Sequence, residues 1–144
     1  MLNWLNVKNS IFILFFLLLI CSCEKESWEG GTSSIEGSVY KISTYYNVLT
    51  QQNDTVYYQL DSGEDIYIIY SDDENDFYDD NVETNWNGQY RFDYLRKGDY
   101  IVFIYADSTD NLNVSYDYPI FHYITIEENN AVYTLPDFVI EKWK

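Results

Sequence analysis

The sequence has few cysteines, which could form disulfides, few prolines and glycines, which interrupt regular secondary structure, and a single histidine. Its 144 residues include 2 cysteines, 2 prolines, 6 glycines and 1 histidine. The cysteines are too few for a disulfide scaffold, and the glycines are too few for a collagen-like repeat. Only 8 lysines and arginines stand against 24 aspartates and glutamates, for a formal net charge of -16. Nucleic-acid binding needs a positively charged surface, so we expect no nucleic-acid partner.

Apolar and aromatic residues, by contrast, are abundant. Hydrophobic residues make up 47% of the chain and aromatic residues 19%, and 16 of the aromatics are tyrosines. This content is enough for one packed domain. Tyrosine and β-branched residues favour strands, so the composition predicts a β-rich fold.

The first 22 residues are typical of a lipoprotein signal peptide. Residues 11–20 form an unbroken apolar run. Ten residues are too few to span a bilayer, but they fit the hydrophobic region of a secretory signal. The next residues, 20–23, resemble a bacterial lipobox, in which a small residue precedes the acylated cysteine. A serine precedes Cys23 whereas a bulky isoleucine precedes Cys21, so Cys23 is the predicted lipidation site. An ordinary cleaved signal peptide is the alternative.

The sequence after the signal divides into a tether and a domain. Residues 23–34 comprise Cys23 and a polar, Gly- and Ser-rich segment, which predicts a flexible tether. Residues 35–144 are the expected β-sandwich domain. The acyl chains then attach the protein to a membrane, and we expect the outer membrane with the domain facing the periplasm or the surface. The tyrosine-rich, acidic composition is similar to that of lipoproteins of Bacteroidota.

Alternation of apolar and polar residues recurs from residue 35 onward. Tyr90, Phe92 and Tyr94, for example, alternate with polar residues, and 65–70 and 100–106 are apolar on both faces. The pattern predicts seven or eight short strands in an all-β, antiparallel sandwich. The two prolines, Pro119 and Pro136, cannot donate to a ladder, so each should mark an edge, a bulge or a strand start.

Two motifs resemble a known family. Residues 35–39 are Ile-x-Gly-x-Val and residues 87–92 are Asn-Gly-x-Tyr-x-Phe. The second motif continues through Leu95, Gly98, Tyr100 and Val102. This pattern resembles the carboxypeptidase regulatory-like domain, a transthyretin-like β-sandwich. The resemblance covers about residues 34–140, and an immunoglobulin-like sandwich is the alternative. In the carboxypeptidases this domain is the non-catalytic appendage, so the resemblance implies no peptidase activity. The Asn-Gly pair predicts a tight hairpin.

Candidate catalytic groups are scarce. His122 has the same parity as the isoleucines around it, which favours a structural role in the core. A Ser-His-Asp site would need this histidine, yet the sequence has no Gly-x-Ser-x-Gly motif. Zinc sites need clusters of histidine and cysteine, which are absent from the sequence. We therefore predict that the protein is not an enzyme and needs no cofactor.

An acidic run, residues 72–80, is the one candidate metal site. Asp72, Glu74 and Asp76 alternate as in a calcium-binding loop, and carboxylate oxygens are ligands that Ca²⁺ prefers. A phenylalanine, Phe77, replaces the glycine that such a loop needs. A solvated, self-repelling run is therefore the favoured interpretation.

Four aromatic residues are the candidate binding site. Tyr57, Tyr67, Phe103 and Tyr105 should lie on strand faces opposite the core. Exposed tyrosines stack on sugars or anchor protein partners. A tyrosine-rich sheet that covers itself is the alternative.

Two functions follow from these features. The first is a non-catalytic lipoprotein that acts as a structural or interaction module of a cell-envelope complex. The alternative is a carbohydrate-binding or Ca²⁺-dependent binding module at the cell surface. An envelope protein is the expected partner in the first case, and a glycan in the second.

Overall fold

The computed structural model describes residues 27–59, 63–109 and 114–141. Within these ranges the chain forms only strands, and no helix long and apolar enough to cross a membrane is found there. The predicted signal peptide and Cys23 lie outside the described residues. The strands are β1 (Glu29–Asn47), β2 (Gln52–Gln59), β3 (Asp65–Ile69), β4 (Asp80–Glu83), β5 (Gln89–Leu95), β6 (Gly98–Thr109), β7 (Ser115–Ile126), β8 (Val132–Thr134) and β9 (Phe138–Glu141).

The strands form two sheets. In the first sheet β1 lies between β2 and β5, and the short strands β8 and β9 also pair with it. The 19-residue β1 reaches all four partners because its first half pairs with β5 and β8 and its second half with β2 and β9. The second sheet has the order β4-β3-β6-β7 and is antiparallel throughout. The fold is therefore the predicted all-β sandwich, with two short parallel pairings added.

The main core lies between the two sheets. Alternate residues of β3, β5 and β6 face it, as the period-two pattern predicts. Its buried side chains include Ile35, Val39, Ile66, Ile68, Tyr90, Phe92, Tyr100, Val102, Ile104 and Phe138. The prolines fit the predicted positions, because Pro119 lies on the edge strand β7 and Pro136 precedes β9.

The two family-like motifs meet in the first sheet. Gly37 on β1 pairs with Tyr90 on β5, and Ile35 pairs with Phe92. The Tyr90 ring crosses the surface of Gly37, where an added Cβ would lie 2.5 Å from the tyrosine hydroxyl. The glycine is therefore needed for close approach, and the tyrosine fills the space that it leaves.

The Asn-Gly turn does not form the predicted hairpin. A tight Asn-Gly hairpin turn needs positive φ at both residues, but only Gly88 has it, at 70°, and Asn87 does not. The Gly88 amide donates to the Asn85 carbonyl at 2.8 Å. The Asn85 side chain closes the turn by accepting from the Asn87 amide at 2.8 Å. However, β4 pairs with β3 and β5 pairs with β1, so the turn connects the two sheets. The hairpin prediction was wrong because a turn sequence specifies a reversal and not the partner of the strand that follows.

Part of the predicted tether belongs to the sheet. Strand β1 begins at Glu29, and residues 29–34 are strand rather than flexible chain. The Ser33 hydroxyl is buried and donates to the Glu128 carbonyl at 2.7 Å. At Gly31 an added Cβ would lie 1.9 Å from the Leu95 carbonyl oxygen. The small residues Gly31 and Ser33 were predicted to make this segment flexible. In the structure they allow two backbone segments to pack closely.

Candidate functional site: an aromatic sheet face

The second sheet has an aromatic surface on its outward side. Tyr67, Phe103 and Phe121 are aligned across β3, β6 and β7, and Ile69, Ile101 and Tyr123 form the adjacent row. Tyr105 follows two residues after Phe103 on the same side of β6. We call this surface the outer aromatic face, and its residues are Tyr67, Ile69, Ile101, Phe103, Tyr105, Phe121 and Tyr123.

The rings of the outer aromatic face hold one another in place. Tyr67 stacks on Phe103 with 5.1 Å between ring centroids and 19° between planes. Tyr105 meets both rings edge-on, at 5.6 Å from Tyr67 and 5.5 Å from Phe103. Phe121 lies 5.3 Å from Phe103 on the other side. Each such pair adds about 0.5–1.5 kcal/mol beyond area burial, so the surface is pre-organised.

The face has a buried base and an exposed rim. Phe103 is only 5% exposed, and Ile69 and Ile101 are also buried. Tyr105 and Tyr123 are 42% and 56% exposed. A ligand on this face would therefore touch the tyrosines, while Phe103 supports them from below.

The acidic run lies across one end of the face. It connects β3 to β4, and its Tyr78 ring packs edge-on against Tyr67 at 4.8 Å. Its Glu74 accepts a hydrogen bond from the Tyr123 hydroxyl on β7. Because β6 lies between β3 and β7, the run crosses the width of the sheet to make this contact. Ile69 and Ile101 point outward yet are buried, in a cluster with Phe103 against which Tyr67 and Phe121 pack.

The charges around the face are all negative. The outward positions of β3, β6 and β7 contain no lysine or arginine among the described residues, but they include Asp65, Asp99, Asp107 and Asp117. Asp99 accepts from the Thr125 hydroxyl at 2.6 Å. The hydrogen bond to Glu74 raises the pKa of Tyr123 above its ordinary value. The face therefore presents rings and acceptors, and it would repel an anionic ligand.

The three predicted metal ligands have different neighbours. Glu74 contacts Tyr123, and Asp76 accepts from the Ser71 hydroxyl at 2.7 Å. Asp72 is exposed. Within the described ranges, no group of three metal-ligating side chains is close enough to hold a metal ion. Ca²⁺ binding by the acidic run and the solvated alternative therefore both stay predictions.

Three of the four predicted aromatic residues lie together. Tyr67, Phe103 and Tyr105 are neighbours in the outer aromatic face, whereas Tyr57 pairs with Ile42 in the first sheet. The Tyr57 side chain lies outside the described part of the structure. Sequence reasoning missed Tyr123, although its parity is opposite to that of His122 and indicates an outward position. It also missed Tyr78, for which a loop sequence gives no signal.

A depression in the protein surface lies away from the outer aromatic face. It has a volume of about 560 Å³ and is lined by polar residues, including Glu36, Gln89 and Arg91. The Arg91 guanidinium already contacts Glu36 at 2.6 Å, Asp93 at 2.7 Å and the Ser34 hydroxyl at 2.6 Å. These bonds take three of its five N–H donors, and the two carboxylates balance its charge, so this depression is less suited to an anionic ligand than a free arginine would make it.

His122 lies on the core side of β7. Its ring stacks on Phe138 with centroids 4.1 Å apart and an interplanar angle of 8°. The Nδ1 atom is buried without a hydrogen-bond partner among the described residues, and burial lowers the pKa of His122. The sole histidine is therefore held as a neutral packing residue.

This environment predicts a pH effect on stability. The folded pKa of His122 is below its unfolded value, so protons bind the unfolded chain more readily as the pH falls. The stabilisation by neutral His122 is complete well above the unfolded pKa of about 6.5, and it is lost as the pH falls below that value and through the lower folded pKa. A His122→Phe variant keeps the ring and removes the titration. Its melting temperature should therefore fall less than that of the wild type between about pH 7 and pH 5. The carboxylates are common to both proteins and contribute equally to the pH dependence of each. If the melting temperatures of the two proteins fell by the same amount between about pH 7 and pH 5, His122 would not be the cause of the predicted difference.

Comparisons with known proteins show the following. No family model matches the chain, and no curated protein matches it. The chain is similar to a crystal structure from Pseudomonas aeruginosa of a protein named a putative carbohydrate binding protein. The two share 10% identity at a TM-score of 0.45, over 81% of this chain and 92% of that chain. Both values are too low to indicate a shared function.

Proposed function

We propose that the protein is a non-catalytic binding module of the cell envelope and that its outer aromatic face binds carbohydrate. The main support is the arrangement of Tyr78, Tyr105 and Tyr123, three exposed rings around a buried apolar base. Tyrosine has a flat apolar ring and a polar hydroxyl. A sugar has the complementary features, since its C–H face packs on a ring and its hydroxyls take part in hydrogen bonds.

The negative charge around the outer aromatic face restricts the class of glycan that could bind there. Carboxylates lie at both ends of the aromatic rows, and no described base points outward there. Carboxylates accept hydrogen bonds from sugar hydroxyls, but they repel sugar acids and phosphates. The proposed ligand is therefore a neutral glycan.

The envelope location is the second part of the proposal. The lipobox-like residues 20–23 support acylation at Cys23 and attachment to the outer membrane. The pairing of Gly37 with Tyr90 supports a distant relation to the carboxypeptidase regulatory-like domains, since it joins the two motifs of the resemblance. The packed, unpartnered His122 supports a non-catalytic role.

A structural or interaction module is the second candidate. One feature favours it: β7 is a 12-residue strand at the end of the second sheet, with exposed Tyr116 and Tyr118. An edge strand can pair with a strand of another protein. An envelope protein would then be the partner.

Glycan binding by matched variants tests the first candidate. The domain from residue 24 onward is screened on a glycan array, and the affinity for the best neutral glycan is then measured by calorimetry. Tyr105→Ala should weaken binding about tenfold or more, equivalent to about 1.4 kcal/mol. Tyr118→Ala should have little effect, because Tyr118 is similarly exposed (40% against 42%) but points to the other side of the sheet.

Two outcomes would contradict glycan binding. One is an equal loss in both variants, which would indicate general destabilisation. The other is the absence of any glycan signal together with a stoichiometric envelope protein in a detergent pull-down, which would favour the interaction module.

A further inference from the structure

The chain enters the sandwich at the turn between β5 and β6. The Ser27 hydroxyl donates to the Asp99 carbonyl at 2.5 Å, and the Arg96 amide donates to the Trp28 carbonyl at 3.0 Å. The Tyr100 hydroxyl also donates to the Arg96 carbonyl at 2.8 Å, which anchors the turn to the core. The chain is therefore fixed to this end of the domain from Ser27 onward.

The fixed segment begins close to the predicted lipidation site. Only residues 24–26 separate Cys23 from Ser27. Four residue steps of at most about 3.6 Å each span about 14 Å. The polar layer on one side of a bilayer is roughly 5–8 Å thick, as the difference between total and hydrocarbon thickness gives. If Cys23 is acylated, the β5–β6 end must therefore lie close to the lipid headgroups.

The side chains at this end suit such a surface. Trp28 is 57% exposed, and one part of its ring rests on Tyr70 at a centroid distance of 6.0 Å. Tryptophan is enriched where a membrane meets water. The turn adds Arg96 and Lys97, two of the eight bases in an otherwise acidic chain. Long basic side chains can reach lipid phosphates from this depth.

Acids also lie near this end. Glu24 and Glu26 precede Ser27 in the chain, and Asp79 accepts a hydrogen bond from the Tyr70 amide at 2.7 Å. Glu29 accepts from the Tyr70 hydroxyl at 3.2 Å, and Asp99 is bonded to Thr125. The acidic run also begins at this end, but its contacts with Tyr67 and Tyr123 fold it back over the outer aromatic face. Beside these acids the Trp28 side chain is still 57% exposed.

We propose that Trp28, Arg96 and Lys97 form a membrane-facing end that orients the domain on the bilayer, with the Trp28 ring in the headgroup layer. The proposal rests on the acylation of Cys23 that is part of the proposed function. Strand β5 runs away from this end, and Trp86 lies just before its start. Seven strand residues span about 23 Å, so the two exposed tryptophans mark opposite ends of the domain.

Fluorescence of single-tryptophan proteins tests this orientation. Trp86→Phe with Trp143→Phe leaves Trp28 as the reporter in the processed chain, and Trp28→Phe with Trp143→Phe leaves Trp86. Each protein is acylated in its host, purified in detergent and reconstituted into phosphatidylcholine–phosphatidylglycerol vesicles with brominated acyl chains. A ring buried about 5–10 Å into the boundary lies within reach of bromine, so Trp28 emission should fall about twofold. Trp86 emission should not change.

The controls separate this proposal from the one on which it rests. Co-flotation of both proteins with the vesicles, and the mass of the N-terminal peptide, report acylation independently of fluorescence. Acylated protein that floats with Trp28 unquenched, or with both tryptophans quenched equally, would overturn the orientation alone. Protein that is not acylated and does not float would overturn both proposals.

Discussion

Replacing Gly37 with alanine should lower the free energy of unfolding by about 2 kcal/mol, the middle of the range for overpacking a well-packed site. The added Cβ would lie 2.5 Å from the Tyr90 hydroxyl and 2.8 Å from the ring carbon that bears it. The ring cannot move away easily, because it also contacts Phe92 and Phe138, at centroid distances of 6.2 Å and 6.0 Å. Chemical denaturation of the two proteins measures the difference.

A second substitution tests whether the contact with the Tyr90 hydroxyl is the cause. Tyr90→Phe removes a hydroxyl that is buried without a hydrogen-bond partner among the described residues, so alone it should be neutral or stabilising. In the Gly37→Ala background it should recover part of the loss, because the closest contact disappears. A non-additive double-mutant cycle would show this coupling. Additive effects would mean that the hydroxyl is not the cause of the loss, since the phenylalanine ring keeps the carbon atoms at 2.8 Å and 2.9 Å from the added Cβ.

The sequence predicted most strand faces well, because side chains alternate across a sheet. The alternation predicted through Tyr94 was wrong at that residue, since Tyr94 has a positive φ of 62° and is 73% exposed, and Leu95 is buried in its place. Tyr90 and Phe92 face the core, as their spacing predicts, and Tyr67, Phe103 and Tyr105 share the opposite, outward side of the second sheet. The parity of a residue is a local property, so one sequence is enough to assign it.

Strand partners were less predictable, because pairing is not local. The predicted positive φ at Gly88 is observed, but the chain crosses at this turn from one sheet to the other. Likewise, Gly31 and Ser33 suggested a flexible tether, but they pack against Leu95 and Glu128, more than sixty residues away in sequence. Small residues occur both in flexible segments and where backbones pack closely, and only the segment that they contact shows which of the two applies.

The packing of the acidic run against the outer aromatic face was also not predictable. The composition of the acidic run indicates a solvated loop, and most of its residues are exposed. Its contacts with Tyr67 and Tyr123 depend on how β6 and β7 are placed, which the run itself does not encode. The candidate ligand surface could therefore be predicted as a set of rings, but its boundary could not.

Replacing Cys23 with serine should move the protein from the membrane fraction to the soluble fraction. Each buried methylene of an acyl chain contributes about 0.8 kcal/mol, so a multi-chain anchor holds a protein on the bilayer almost permanently. The hydroxyl of serine does not receive the diacylglycerol that a cysteine thiol receives. Fractionation of cells, followed by immunoblotting, measures the redistribution.

The same substitution should leave the domain intact. Cys23 precedes the packed segment that begins at Ser27, and no cysteine follows it in the chain, so no disulfide of the domain can be lost. The melting temperature of the Cys23→Ser domain should therefore equal that of the acylated protein in detergent. Trp28→Ala is the matched control, because it alters the proposed membrane-facing end while it keeps the anchor, and it should stay in the membrane fraction. If Cys23→Ser protein of normal stability also stayed there, the mass of the protein would show whether the apolar run at residues 11–20 had been cleaved. Attachment of the cleaved protein would then have to come from the domain surface and not from the lipid.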